Sequence, residues 1–166
     1  MQILSKQKNS EMCMICGMNN NYGVKAQFYN MEDGSVMTPF VFREEHQSYP
    51  GRVHGGIITA MLDELGLRAY WVEHEDEFAV TMSLETKYRK PVPYGLELIG
   101  KGEIIKSTSK FLEAKAQILD IYGNVLATAE GKYIKMSTDK IMDEEDFHEG
   151  INFLVEDDRK EINFRK

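Results

Sequence analysis

The stretch Val53-His54-Gly55-Gly56-Ile57 sets two glycines where a loop gives way to a helical pattern. With no side chains there, a ligand can approach the backbone closely. The N–H groups of a first helical turn also lack internal partners and lie at the positive end of the helix dipole. Such a turn can bind an anion or stabilise an oxyanion developing on a carbonyl; the plainer reading is a tight turn. Nine residues after His54 comes Asp63, between Leu62 and Glu64 among mostly apolar neighbours. Glu64 has Arg68 four residues on, and the two can pair on a solvated face. Asp63 has Leu67 at that spacing and Gly66 one residue earlier, where the missing side chain leaves space beside the carboxylate. An unpaired acid on a largely buried helix is costly unless it is used, and burial raises its proton affinity. The alternative is a hydrogen bond from Asp63 to Thr59 or to strand backbone.

Four weaker features surround this centre. Thr81 and Ser83 follow on the next predicted strand, and either hydroxyl could orient a water or a substrate oxygen near Asp63, although hydroxyls are common on strands. Lys87, Arg89 and Lys90, with Tyr88 among them, form a small basic cluster ahead of Pro91, suited to phosphates or simply a solvated strand end. Cys13-Met-Ile-Cys16-Gly17 has no second cysteine pair, and neither His46 nor His54 stands at a zinc spacing from it, so a turn ending in Asn19-Asn-Asn-Tyr-Gly23 explains it better than a metal site. His74 and His148, among acidic neighbours, read as surface residues. The chain has no nucleophile elbow and no glycine-rich phosphate loop with a lysine.

These residues need a scaffold of strands around one helix. Val24–Met31 and Val36–Arg43 are β-rich and joined through Asp33-Gly34, a hairpin signal. From His54 to about Val72, Ile57, Ile58, Met61, Leu62, Leu65 and Ala69 recur at helical steps. Phe78–Tyr88 alternates, with Phe78, Val80, Met82, Leu84, Thr86 and Tyr88 predicted on one face and Thr81 and Ser83 on the other. Further strands are predicted at Leu96–Lys106, Lys110–Ile121 and Val125–Lys135. The helix is apolar over much of its circumference, so an antiparallel sheet must wrap it, giving an α+β class.

The whole is 166 residues, room for one domain with a tail. Its net charge of −7 argues against a nucleic-acid coat. Residues 139–166 carry ten acidic and five basic side chains, which marks them off as an acidic C-terminal appendix. The predicted division is a lead at 1–12, a domain at 13–137 and the appendix at 138–166, the last expected as a helix or two docked on the surface. The first ten residues lack the apolar run of a signal peptide, and no stretch of about 18 apolar residues occurs, so a soluble, cytoplasmic protein without membrane contact is expected.

Read together, the markers resemble the hotdog-fold acyl-CoA thioesterases of the PaaI and THEM branch, over roughly Cys13–Met136. They are Cys16-Gly17 with Asn19 and Gly23, His46-Gln47, Pro50-Gly51, the turn Val53-His54-Gly55-Gly56 with Asp63, and Tyr88-Arg89-Lys90-Pro91. The resemblance implies an antiparallel sheet wrapped around one long helix and a homodimer or dimer of dimers, with the site between subunits and neither metal nor organic cofactor. By the same resemblance, the Gly55 N–H of one subunit polarises the thioester carbonyl. Asp63 of the other acts as general base or nucleophile, and Thr81 orients the attacking water. His54, Gly56, Gln47 and Ser83 then contact substrate, with Lys87, Arg89 and Lys90 on the CoA phosphates. Some relatives carry an asparagine where this chain has Ser48; Gln47 offers the amide instead. The implied activity is hydrolysis of acyl-CoA to CoA and a carboxylic acid, the alternative being a hotdog protein that senses acyl-CoA without turnover.

Overall fold

A computed structural model describes residues 1–74, 77–137, 140–141, 150–151 and 153–165. Among the described residues are nine strands and one long helix: β1 (Ile3–Lys6), β2 (Tyr29–Met31), β3 (Val36–Val41), β4 (Gln47–Tyr49), β5 (Arg52–Val53), α1 (Gly55–Tyr70), β6 (Phe78–Tyr88), β7 (Glu97–Ser107), β8 (Phe111–Asp120) and β9 (Val125–Met136). Seven strands make one antiparallel sheet in the order β1-β2-β3-β7-β8-β9-β6, and β4 and β5 form a separate hairpin. The expected α+β arrangement is present: α1 lies in the curl of the sheet and touches β3, β6, β7, β8 and β9.

Ile58, Met61, Leu62, Leu65 and Ala69 are buried on the sheet-facing side of α1. They pack with Phe40, Leu98, Ala116, Ile118, Ala127 and Ala129 from the strands. Burying one such large side chain stabilises the fold by roughly 1.5–3 kcal/mol. The approach is closest at β7, where a side chain on Gly102 would run into the Leu65 carbonyl.

Three sequence expectations are corrected. The strand predicted over Val24–Met31 is paired only at Tyr29–Met31; upstream, Val24 and Ala26 donate instead to the Met14 and Ile15 carbonyls of the N-terminal turn. The alternation in β6 is broken by a bulge between Thr81 and Ser83, which leaves Val80 and Met82 exposed. The appendix, expected as docked helix, is non-helical over 153–165. It runs back along the N-terminus, bridging Phe153 to Asn9 and Glu161 to Gln2, with Ile162 buried beside Tyr29, Met31, Met37 and Ile99. The acids there do have partners: Asp157 accepts the Tyr29 phenol at 2.6 Å and pairs with Lys6 at 3.2 Å. The first residues supply the sheet with its edge strand β1. His148, Phe147 and the start of the appendix at Thr138 lie outside the described residues.

Candidate active site

The start of α1 is built by His54. Its backbone is extended (φ −64°, ψ 133°) and its Nδ1 accepts the Gly56 N–H at 2.9 Å, the arrangement of a helix cap. The His54 carbonyl accepts the N–H groups of Ile57 and Ile58 at 3.0 and 3.1 Å. Gly56 and Ile57 are thereby satisfied, while the Gly55 N–H has no acceptor among the described residues. With its Nδ1 engaged as acceptor, the His54 ring shapes the turn. The Gly55 carbonyl accepts the Tyr88 phenol at 3.0 Å, and Tyr88 also meets the Thr59 hydroxyl at 2.7 Å. That network occupies Thr59, which the sequence had offered to Asp63.

Asp63 is half-buried on α1, and both its oxygens accept the Thr81 hydroxyl, at 2.9 and 3.1 Å. No cation pairs with it among the described residues. Burial pushes its proton affinity up, the Thr81 hydrogen bond works against that, the Glu64 charge adds to it, and the nearby Tyr133 hydroxyl lowers it. The result is a carboxylate more basic than an ordinary aspartate, held by neutral hydroxyls alone.

The bulge decides which β6 side chains share this face. Thr81 before it and Leu84 and Thr86 after it are turned toward α1, Thr86 reaching the Thr59 hydroxyl at 3.4 Å. Ser83 is exposed and paired in register with the exposed Lys132. The structure therefore separates Ser83 from Asp63. Tyr133, which the sequence reading passed over, sits opposite Thr81 in the ladder. The space that Gly66 leaves beside the carboxylate holds its phenol. The available signal was the pair Gly131 and Tyr133, small then large on one face of β9.

Gln47 is exposed on β4, opposite Val53. The His54 N–H donates to the His46 carbonyl at 2.9 Å, which ties this hairpin to the glycine turn. His46 itself is buried, its Nδ1 accepting the Arg43 N–H and its Nε2 meeting the Tyr22 carbonyl at 2.7 Å. An open groove of about 320 Å³ at the start of α1 is lined by Arg52, Gly55, Tyr88, Arg89 and Lys90. The fold brings Arg89 and Lys90 to the glycine turn and adds Arg52. Lys87 does not line that groove; it pairs with Glu85 at 2.8 Å.

Cys13, Cys16 and Glu64 have ligand atoms within 4.8 Å of one another, but a guanidinium already occupies them. Arg68, only 4% exposed, donates to Glu64 at 2.8 Å, to the Cys16 sulfur at 3.0 Å and to the Lys8 carbonyl at 2.7 Å. It also lies against the Phe28 and Trp71 rings. The Glu64–Arg68 pair, expected on a solvated face, is thus a buried tie between α1 and the N-terminal segment. A metal cation there would face that guanidinium, so the donor set does not fit one. His74 pairs with Glu77 at 3.3 Å near the surface.

Residues 50–127 match the family model of the thioesterase superfamily. The chain is 27% identical to the acyl-coenzyme A thioesterase THEM4 of Rattus norvegicus over 116 residues, 69% of this chain and 49% of that protein, so it spans about half the length of that relative. The crystal structure of the thioesterase superfamily protein RHA08564 superimposes with a TM-score of 0.69 at 24% identity, covering 74% of this chain and 63% of that one. A mutant of the phenylacetic acid degradation protein PaaI from Thermus thermophilus does so with a TM-score of 0.55 at 18% identity, over 62% and 86% of the two chains. The sheet curled about one helix is the hotdog fold of these structures, and the segment that matches the thioesterase superfamily model includes both the glycine turn and Asp63.

Proposed function

We propose that the protein hydrolyses acyl-CoA thioesters, releasing CoA and a free carboxylic acid, at a site shared by two copies of the chain. The observation that carries this is the state of Asp63: half-buried, without a cation, braced by Thr81 and made more basic by its surroundings. Water attacks the thioester carbonyl carbon as Asp63 takes its proton. The negative charge that develops on the carbonyl oxygen falls on the Gly55 N–H at the start of α1. The C–S bond then breaks, and the CoA sulfur leaves with the proton. Direct attack by the Asp63 carboxylate on the same carbon would use the same neighbours.

Two features support a composite site. Gly55 and Asp63 are eight residues apart on one helix, about 12 Å along its axis, too far for one chain to bring both to a single carbonyl. The long strand β6, which carries Thr81, is also at the edge of the sheet with one side unpaired. Val80, Met82 and Tyr88 are exposed along it, an edge that a second copy can complete. The groove lined by Arg52, Arg89 and Lys90 suits the phosphates of CoA at the entrance to the same turn.

Release of free thiol from a panel of acyl-CoA thioesters tests this. The wild-type protein turns over at least one class, whereas Asp63→Asn retains acyl-CoA binding and loses hydrolysis. Hydrolysis by that variant at the wild-type rate refutes the assignment. Binding across the panel without hydrolysis by the wild type identifies a sensor instead.

A further inference from the structure

The Asp63 carboxylate is approached from two strands. Tyr133 on β9 is the direct cross-strand partner of Thr81 on β6, and paired positions on neighbouring strands point to the same face of a sheet. The Tyr133 side chain is 0% exposed, and its hydroxyl has no hydrogen-bond partner among the described residues. Two glycines make room for it: a Cβ on Gly66 of α1, or on Gly131 of β9, would overlap the phenol oxygen. Glycine inside a helix or a strand weakens it, and here both sit against the hydroxyl end of one phenol ring. A buried hydroxyl left unpaired is costly. The charge acting on this one is Asp63, which raises the phenol's proton affinity while the phenol lowers that of the carboxylate. Glu64 and Thr81 are the other groups that act on Asp63.

We propose that Tyr133 is a positioning residue for Asp63: its phenol, seated between Gly66 and Gly131, donates to the charged carboxylate and, with Thr81 on the other flank, fixes the orientation of the group that receives the proton. This rests on the reading of Asp63 as the reaction's base. Thr81 alone straddles both carboxylate oxygens and leaves the group free to turn about its last bond; a second donor removes that freedom.

Tyr133→Phe deletes one oxygen and keeps the ring. Its kcat is expected to fall roughly tenfold to a hundredfold, the loss of one hydrogen bond to a charged group, with KM within about twofold of wild type. The acid limb of its pH–rate profile moves to higher pH, because the carboxylate has lost a stabilising donor. Carboxyl ¹³C NMR gives a readout independent of turnover: Asp63 titrates at higher pH in Tyr133→Phe than in the wild type. An Asp63 titration identical in the two proteins overturns the proposal whatever the rates do. An inactive wild-type enzyme whose Asp63 titration still shifts would sink the thioesterase reading and leave this contact standing. Should the variant not fold, the wild type decides: the Tyr133 ¹³Cζ resonance follows the Asp63 titration, and a signal flat across it contradicts the contact.

Discussion

Asp63 and Glu64 are adjacent carboxylates on one helix in opposite surroundings. Glu64 faces the N-terminal segment, where the buried Arg68 guanidinium takes it up together with Cys16 and the Lys8 carbonyl. Asp63 faces β6 and β9 and meets only hydroxyls. A carboxylate paired with a buried cation is committed to structure, and removing either partner strands a charge. A carboxylate held by neutral donors keeps its charge available and its proton affinity high. One helical step, about 100° of rotation, separates a structural tie from the proposed base.

The comparison breaks first if the two residues can be exchanged in effect. Asp63→Asn is expected to lower kcat by about 10²–10⁴-fold, the contribution of a positioned base, without lowering stability. The sign follows from linkage: a proton affinity raised in the folded state means that the charged form costs stability above the folded pKa and that this cost vanishes as pH falls through it. Asp63→Asn therefore melts no lower than wild type at pH 7, and any excess shrinks toward acid, measured by thermal unfolding across pH. Arg68→Met is expected to do the reverse, costing about 3–5 kcal/mol of stability by leaving Glu64 half-buried and unpaired; denaturant unfolding checks it, and a change under about 1 kcal/mol would show the tie to be idle.

Smaller effects sharpen the contrast. Thr81→Val keeps the shape of the side chain and removes the donor, so kcat falls by about tenfold and the acid limb of kcat/KM moves upward, since Thr81 holds the Asp63 proton affinity down. In the wild type that limb is expected above the ordinary aspartate range, with activity lost as pH falls through it. On the Glu64 side, the Cys13 thiol is pulled down to about 7, first by its hydrogen bond with Cys16, whereas Cys16 is raised and buried. Iodoacetamide at pH 7.5 should therefore alkylate Cys13 and spare Cys16, read by peptide mass.

Much of this was legible in the chain. The helix over Gly55–Tyr70 and the later strands follow from hydrophobic period, and Asp63 stands out because no cation lies at its helical spacing. Thr81 was placed beside it, but on a strand read as unbroken, which carried Ser83 to the same face. A one-residue bulge leaves no mark on a period of two and reverses every position beyond it. The Glu64–Arg68 spacing was also visible, but not its burial, because the covering Phe28 and the Gln7–Lys8 segment come from distant parts of the chain. Tyr133 escaped for the same reason: its neighbours Gly66 and Gly131 meet only in three dimensions.

The composite site is tested most directly by mixing two inactive variants. Gly55→Pro deletes the N–H at the first helical position, where proline is tolerated, and His54 already has the extended backbone a following proline requires. Gly55→Pro and Asp63→Asn are each predicted to be inactive alone. Random exchange of their subunits leaves half the dimers mixed, each with one intact Gly55–Asp63 pair, and so restores about a quarter of wild-type activity. No recovery after demonstrated subunit exchange would contradict a site shared between two copies.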